Sequence, residues 1–176
     1  FLVALTAEVK EELGAIQSGK TTVRAAELAT ILRFSGGLHV ISGRIAVESE
    51  VESEQLAKRI RKDIAELYGV RAEITSVSAS GVRRTSHYLV RVLDGGETLA
   101  RQTGLLDARR RPIRGLPNRL TTGSREDLAA VWRGAFLASG SLTDPGRSAV
   151  LEVTCPGNEA AMALVGAAGR LRIAAK

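Results

Sequence analysis

Apolar residues recur along the chain with two periods, one helical and one of strands, and the switches between them divide it into elements. In Thr6–Ile16 (TAEVKEELGAI), Val9 and Leu13 lie four apart among charges, which predicts a short amphipathic helix. Thr21 and Thr22 offer an N-cap for a helix over Val23–Phe34, and Gly36-Gly37 ends it. Leu38–Ile41 and Arg44–Glu50 form a predicted hairpin around Ser42-Gly43, with Ile45, Val47 and Ser49 alternating against a polar face of Ala46, Glu48 and Glu50. Ser53 is the expected N-cap of a helix in which Leu56, Ile60, Ile64 and Leu67 recur until Gly69 stops it. Strands over Arg71–Ser78 and His87–Leu93 flank the loop ASGVRRTS, and a short helix Gly95–Gly104 follows. In the later strand Tyr88, Val90 and Val92 are the expected core face, which leaves Arg91 exposed on the other with His87 and Leu89.

Arg109–Arg119 (RRRPIRGLPNR) carries two prolines and a glycine among its arginines, so it is expected to be an inter-unit linker with no regular element. The pattern then restarts. Ser124-Arg-Glu-Asp opens a helix over Asp127–Ala138, Gly140 ends it, Thr143–Gly146 turns, Ser148–Cys155 is a strand and Asn158–Leu171 a helix. Ser35 and Ser139, Gly36 and Gly140, and Leu38 and Leu142 are each 104 positions apart, so the chain holds an internal repeat. The expected organisation is an N-terminal helix over 1–20, a first repeat over 21–107, an Arg/Pro-rich linker over 108–122 and an incomplete second repeat over 123–176. Each repeat is of αββαββα type, and the part absent from the second corresponds to Arg71–Gly104.

Ala130, Gly134 and Ala138 recur every fourth residue in the second-repeat helix; Ala26, Thr30 and Phe34 hold the matching places in the first. A glycine inside a helix costs about 1 kcal/mol against alanine, so Gly134 requires a packing reason. Close contact between the two helices supplies it.

Composition narrows the chemistry. At 176 residues and 44% hydrophobic the chain is a folded protein, and no apolar run approaches the ~18 residues of a membrane span. No signal peptide is apparent, so a cytoplasmic location is expected. The single Cys155 with only His39 and His87 makes no zinc set, and no cofactor or metal site is expected. Twenty-five Lys+Arg against nineteen Asp+Glu give a net charge of +6, which suits a nucleic-acid partner, while 3% aromatic content argues against a base-stacking platform.

LATILRFSG (Leu28–Gly36) and WRGAFLASG (Trp132–Gly140) resemble two degenerate copies of the LAGLIDADG motif of homing endonucleases. WRGAFLASGSLTDPGRSAVLEVTCPGNEAA and TGLLDARRRPIRGLP resemble the WhiA family of sporulation and cell-division regulators, across essentially the whole chain. The implied architecture is α+β, a LAGLIDADG homing-endonuclease-like pseudo-dimer with twin helices at its centre and the second repeat truncated. In the endonucleases the eighth position of the motif is an acidic residue that holds divalent cations; here Ser35 and Ser139 stand in those places, and a neutral hydroxyl is a poor Mg²⁺ ligand. No catalytic residue is therefore expected. Asp144, in the turn TDPG, is accounted for by turn chemistry.

The expected DNA contacts are Arg83 and Arg84 in the hairpin loop, Arg91 on its strand, and Arg109, Arg110, Arg111 and Arg114 in the linker. Glu48, Glu50 and Glu152 would oppose a phosphate backbone on the strands themselves. The resemblance further implies nucleoid association, a C-terminal helix-turn-helix domain absent from this sequence, promoter DNA bound mainly through it, and WhiB and RNA polymerase as partners, with no membrane contact. A metal-dependent site-specific endonuclease and a protein-interaction module without DNA affinity are the competing readings.

Overall fold

The computed structural model describes residues 2–78, 86–143, 146 and 150–176, with side chains from residue 5 onward. Arg83, Arg84 and Asp144 therefore lie outside the described residues. Contacts divide the chain into two compact units, Phe1–Phe34 with Arg114–Lys176, and Ser35–Ile113. Among the described residues no helix is long and apolar enough to cross a membrane.

The first unit contains α1 (Leu2–Ala15), α2 (Thr21–Ser35, whose last residue falls in the second unit), α5 (Asn118–Thr121), α6 (Arg125–Ser139), the antiparallel pair β5 (Gly140–Thr143) and β6 (Val150–Val153), and α7 (Asn158–Arg170). Helix α1 begins four residues before the expected Thr6, because the unpatterned apolar residues from Leu2 onward add its first turn. Thr6, expected at a helix end, instead uses its hydroxyl on β5, accepting from Leu142 N–H at 3.1 Å. The segment expected to be irregular also holds an element: after Pro117, whose φ of −62° suits a helix entry, α5 makes one turn and buries Leu120.

Helices α2 and α6 are both fifteen residues long, and their ends are offset by the 104 positions of the repeat. The start of β5 and the start of α7 keep the same offset from their first-repeat counterparts. Ser124 caps α6 in a full capping box with Asp127. Thr21 and Thr22, expected as a cap, are instead already helical. Val23, Ala26, Ala29, Phe34, Ala130, Val131 and Ala135 from the two helices join Leu116, Leu120, Ala160 and Leu164 in one core, with Ala138 partly buried against it. A Cβ on Gly134 would stand 2.6 Å from the Glu27 carbonyl oxygen and 3.1 Å from Thr30 Cβ. Thr30 is itself the repeat counterpart of Gly134, so equivalent positions of the two helices lie against each other at this approach. Trp132 Nε1 donates to the Leu164 carbonyl at 3.1 Å and fastens α7 to the same core.

The second unit is a four-stranded antiparallel sheet in the order β1-β2-β4-β3, comprising β1 (Gly36–Ile41), β2 (Arg44–Val51), β4 (His87–Val92) and β3 (Glu73–Val77), with α3 (Glu54–Tyr68) and α4 (Gly96–Gln102). The β1–β2 turn has φ of 51° at Ser42 and 76° at Gly43, the left-handed pair that matches strand twist. Ser53 Oγ caps α3, and Gly69 ends it at φ 65°. Helix α3 packs on β2, β3 and β4, burying Leu56, Ala57, Ile60 and Ile64, with Val47, Val51, Val90 and Val92 buried on the strands. Leu67 is only half-buried. The expected polar face of β2 needs correction: Ala46 is fully buried and Glu48 nearly so.

Replacing Gly134 by alanine adds helix propensity but places a methyl against backbone that cannot rotate away. The expected net effect is a loss of about 1–3 kcal/mol. Urea unfolding of Gly134→Ala measures it, and a midpoint equal to or above the parent's contradicts the close-contact account.

Candidate nucleic-acid interface

Three places carry the expected chemistry: the two helix ends, the sheet face bearing Glu48, and the arginines of residues 107–114. At the first helix end, the Ser35 and Ser49 hydroxyls share a hydrogen bond. At the second, Ser139 Oγ donates to the Thr154 carbonyl at 2.7 Å, while Thr154 N–H returns a bond to the Ser139 carbonyl at 3.1 Å. Each hydroxyl thus ties its helix end to the second strand of its hairpin or the residue just beyond it. The strand register adds a match the sequence showed only roughly. Glu48 pairs across from Gly37 and Glu152 from Ser141, so the two carboxylates occupy equivalent places in the repeat.

Antiparallel pairing puts Gly37, Glu48, Arg91 and Glu73 in one cross-strand row. Arg91, expected to be exposed, is instead paired: Nε and Nη2 both donate to Glu48 Oε2, at 3.2 and 3.0 Å. His39 Nδ1 lies 3.3 Å from Glu48 Oε1. His87 lies 3.9 Å from Glu50 on the same face. The face therefore carries alternating, mutually compensating charge.

Residues 105–113 are closed by their own bonds rather than free. Leu106 bridges Pro112, Ile113 N–H donates to the Leu105 carbonyl at 3.0 Å, and Asp107 N–H donates to the Arg111 carbonyl at 2.9 Å. Asp107 is the organising group: its Oδ1 accepts from the backbone N–H groups of Arg109 and Arg111, and its Oδ2 from Arg111 Nε. The Arg111 backbone N–H, more than any other contact, holds the Asp107 carboxyl below its ordinary value; burial opposes it, and the Arg109 N–H and the Arg111 side chain add to the lowering. Arg110 adopts a left-handed φ of 61° and aims its guanidinium at Glu97. Arg109 and Arg114 have no side-chain partner among the described residues.

Sequence reasoning missed a buried ion pair in the first unit, Arg133 Nε on Glu27 Oε2 at 2.6 Å, the carboxylate side chain only 5% exposed. Its signal was a lone acid within the apolar run of α2. It also missed Asp107, for which DARRR carried the cue: a carboxylate ahead of backbone amides in a turn. Burial raises the Cys155 thiol and keeps it protonated.

Two family comparisons match this chain: the WhiA N-terminal LAGLIDADG-like domain over residues 21–106 and the WhiA LAGLIDADG-like domain over 128–176. The chain belongs to the WhiA family. A probable cell division protein WhiA from Leifsonia xyli is 80% identical over 174 residues, covering 99% of this chain and 53% of that protein. Its counterpart in Clavibacter michiganensis is 78% identical over 98% of this chain and 53% of that protein, and the one in Mycobacteroides abscessus 58% over 99% and 53%. The chain thus spans about half the length of the curated WhiA relatives it matches. Among solved structures, full-length WhiA from Thermotoga maritima has a TM-score of 0.68 at 17% identity, covering 96% of this chain and 51% of that one. The crystal structure of a WhiA N-terminal LAGLIDADG domain gives 0.69 at 19%, covering 97% and 76%. A variant of I-DmoI in complex with its target DNA, in the presence of Mn, gives 0.59 at 17%, covering 88% and 78%. The fold is thus the α+β LAGLIDADG type that the WhiA resemblance implied.

Because Asp107 is held ionised, its support of the 107–111 turn is complete above the ordinary carboxylate range, near pH 4, and is lost as pH falls through its lowered folded value. Amide hydrogen exchange at Arg109 and Arg111 is expected to accelerate in that acid window, beyond the intrinsic pH dependence. In Asp107→Asn it is expected to be fast at neutral pH also. Equal protection in parent and variant at neutral pH would exclude Asp107 as the organising group.

Proposed function

We propose that this chain is a non-catalytic, homing-endonuclease-like part of a bacterial DNA-binding transcriptional regulator of sporulation and cell division, and that it touches the duplex through the phosphate backbone. The observation that carries the reading is the state of Ser35 and Ser139. Both hydroxyls are committed to bonds inside their own hairpins, and neither offers the charged oxygen that two-metal phosphodiester chemistry needs. Glu48 is a poor substitute, since Arg91 and His39 already address both its oxygens.

DNA affinity is supported by the likeness of fold to I-DmoI in its DNA complex and by the net charge of +6. Of the seven arginines expected to touch DNA, Arg91, Arg110 and Arg111 are neutralised by Glu48, Glu97 and Asp107. Arg109 and Arg114 are the better phosphate contacts. Two unpaired arginines give weak, sequence-independent binding, so base reading falls to a helix-turn-helix domain elsewhere in the protein. A role as scaffold for WhiB or RNA polymerase is favoured by the sheet face, whose compensated charge suits a protein better than a phosphate backbone.

Two measurements test the proposal. Incubated with supercoiled DNA and Mg²⁺ or Mn²⁺, the chain is expected to leave it intact; nicking that depends on metal would overturn the non-catalytic reading. In a salt titration of duplex binding, Arg109→Ala with Arg114→Ala is expected to flatten the slope of log K against log salt by about 2. An unchanged slope removes these arginines from the interface.

A further inference from the structure

The second unit contains a groove of about 620 Å³ that none of the foregoing uses. It lies between the C-terminal half of α3 and the approach to β3, lined by Arg61, Lys62, Ala65, Gly69 and Val70 and by 71–73. Three cations face one carboxylate, Glu73. Lys62 is paired with Glu66 at 4.0 Å. The side chains of Arg61 and Arg71 are exposed and make no bond to any described residue. This contrasts with the arginines of the sheet face and the 107–111 turn, most of which have an internal acid.

The chemistry of the walls selects the occupant. A phosphate cradle is built from backbone N–H groups at a helix N-terminus, whereas this groove lies at the end of a helix that presents carbonyls. Its donors are guanidinium forks, which match a carboxylate bidentately. Between them Ala65, Val70 and Ala72 supply a small apolar floor suited to short side chains. The groove also leads into β3, which pairs only with β4 among the described residues and whose Glu73, Thr75, Ser76 and Val77 are exposed. An unpaired strand edge accepts a polypeptide through its main chain.

We propose that this groove binds an acidic segment of a protein partner, its carboxylates on Arg61 and Arg71 and its backbone directed along the open edge of β3. This is a second surface, independent of whether the chain binds DNA.

The test is an isotope-labelled NMR titration of the 176-residue chain with a synthetic peptide of alternating glutamate and alanine. Amide shifts are expected at Ala65, Gly69, Val70 and Ala72 and along β3. Arg61→Ala with Arg71→Ala is expected to weaken binding about tenfold, the side chains being solvent-screened. Arg61→Lys with Arg71→Lys, which keeps the charge but loses the fork, is expected to fall between. Full binding by the alanine variant overturns the proposal, as does a shift pattern elsewhere or none. Displacement of the peptide by equimolar inorganic tripolyphosphate assigns the groove to small anions, and displacement by short duplex DNA assigns it to nucleic acid; either result overturns it as well.

Discussion

The first unit depends on the approach of α2 to α6 at Gly134. A missing side chain allows the Glu27 carbonyl and the Thr30 Cβ to press against the facing backbone, and the apolar residues on either side bury together because of it. Everything attached to α6 inherits that placement: α7 through Trp132, the β5–β6 hairpin through Gly140, and α1 through Thr6 on β5. Gly140 is under the same pressure, since a Cβ there would run into the Phe136 ring. Gly134 and Gly140 are thus contact surfaces in the first place.

Charge in this protein is spent largely at home. Glu48, Glu97 and Asp107 each take up an arginine that composition alone would assign to an external partner. Among the described residues, the guanidinium groups left without an internal acid include those of Arg109 and Arg114 and of Arg61 and Arg71.

Most of the fold was legible because local chemistry and global repeat agreed. Ser53, Gly69, Ser124 and the Ser42-Gly43 turn each marked their element boundary, and the spacing of small residues pointed to the helix pair. The boundaries that moved were those without a period or a cap, such as the apolar start of α1 and the single turn of α5 after Pro117. The candidate site was less legible. Whether Arg91 or Arg110 is available depends on which acid lies across a strand or thirteen residues back, and that is set by register and by a left-handed backbone position rather than by composition.

The Glu27–Arg133 pair has a consequence for partner choice. Its two members have no counterparts across the repeat: Val131 stands where a second Glu27 would be, and Ala29 where a second Arg133 would be. Two copies of α2 brought together in this register would set each Glu27 carboxylate against Ala29 of the other copy, unpaired in a buried contact, and would also set threonine against threonine where only glycine fits. Two copies of α6 would set each Arg133 against Val131 of the other copy, with no acid to meet it. The pairing of two similar helices is thereby exclusive, each a lock for the other alone. Exchange of these helices between molecules, the hazard of any chain containing two similar halves, is charged with a penalty that the native pairing does not meet.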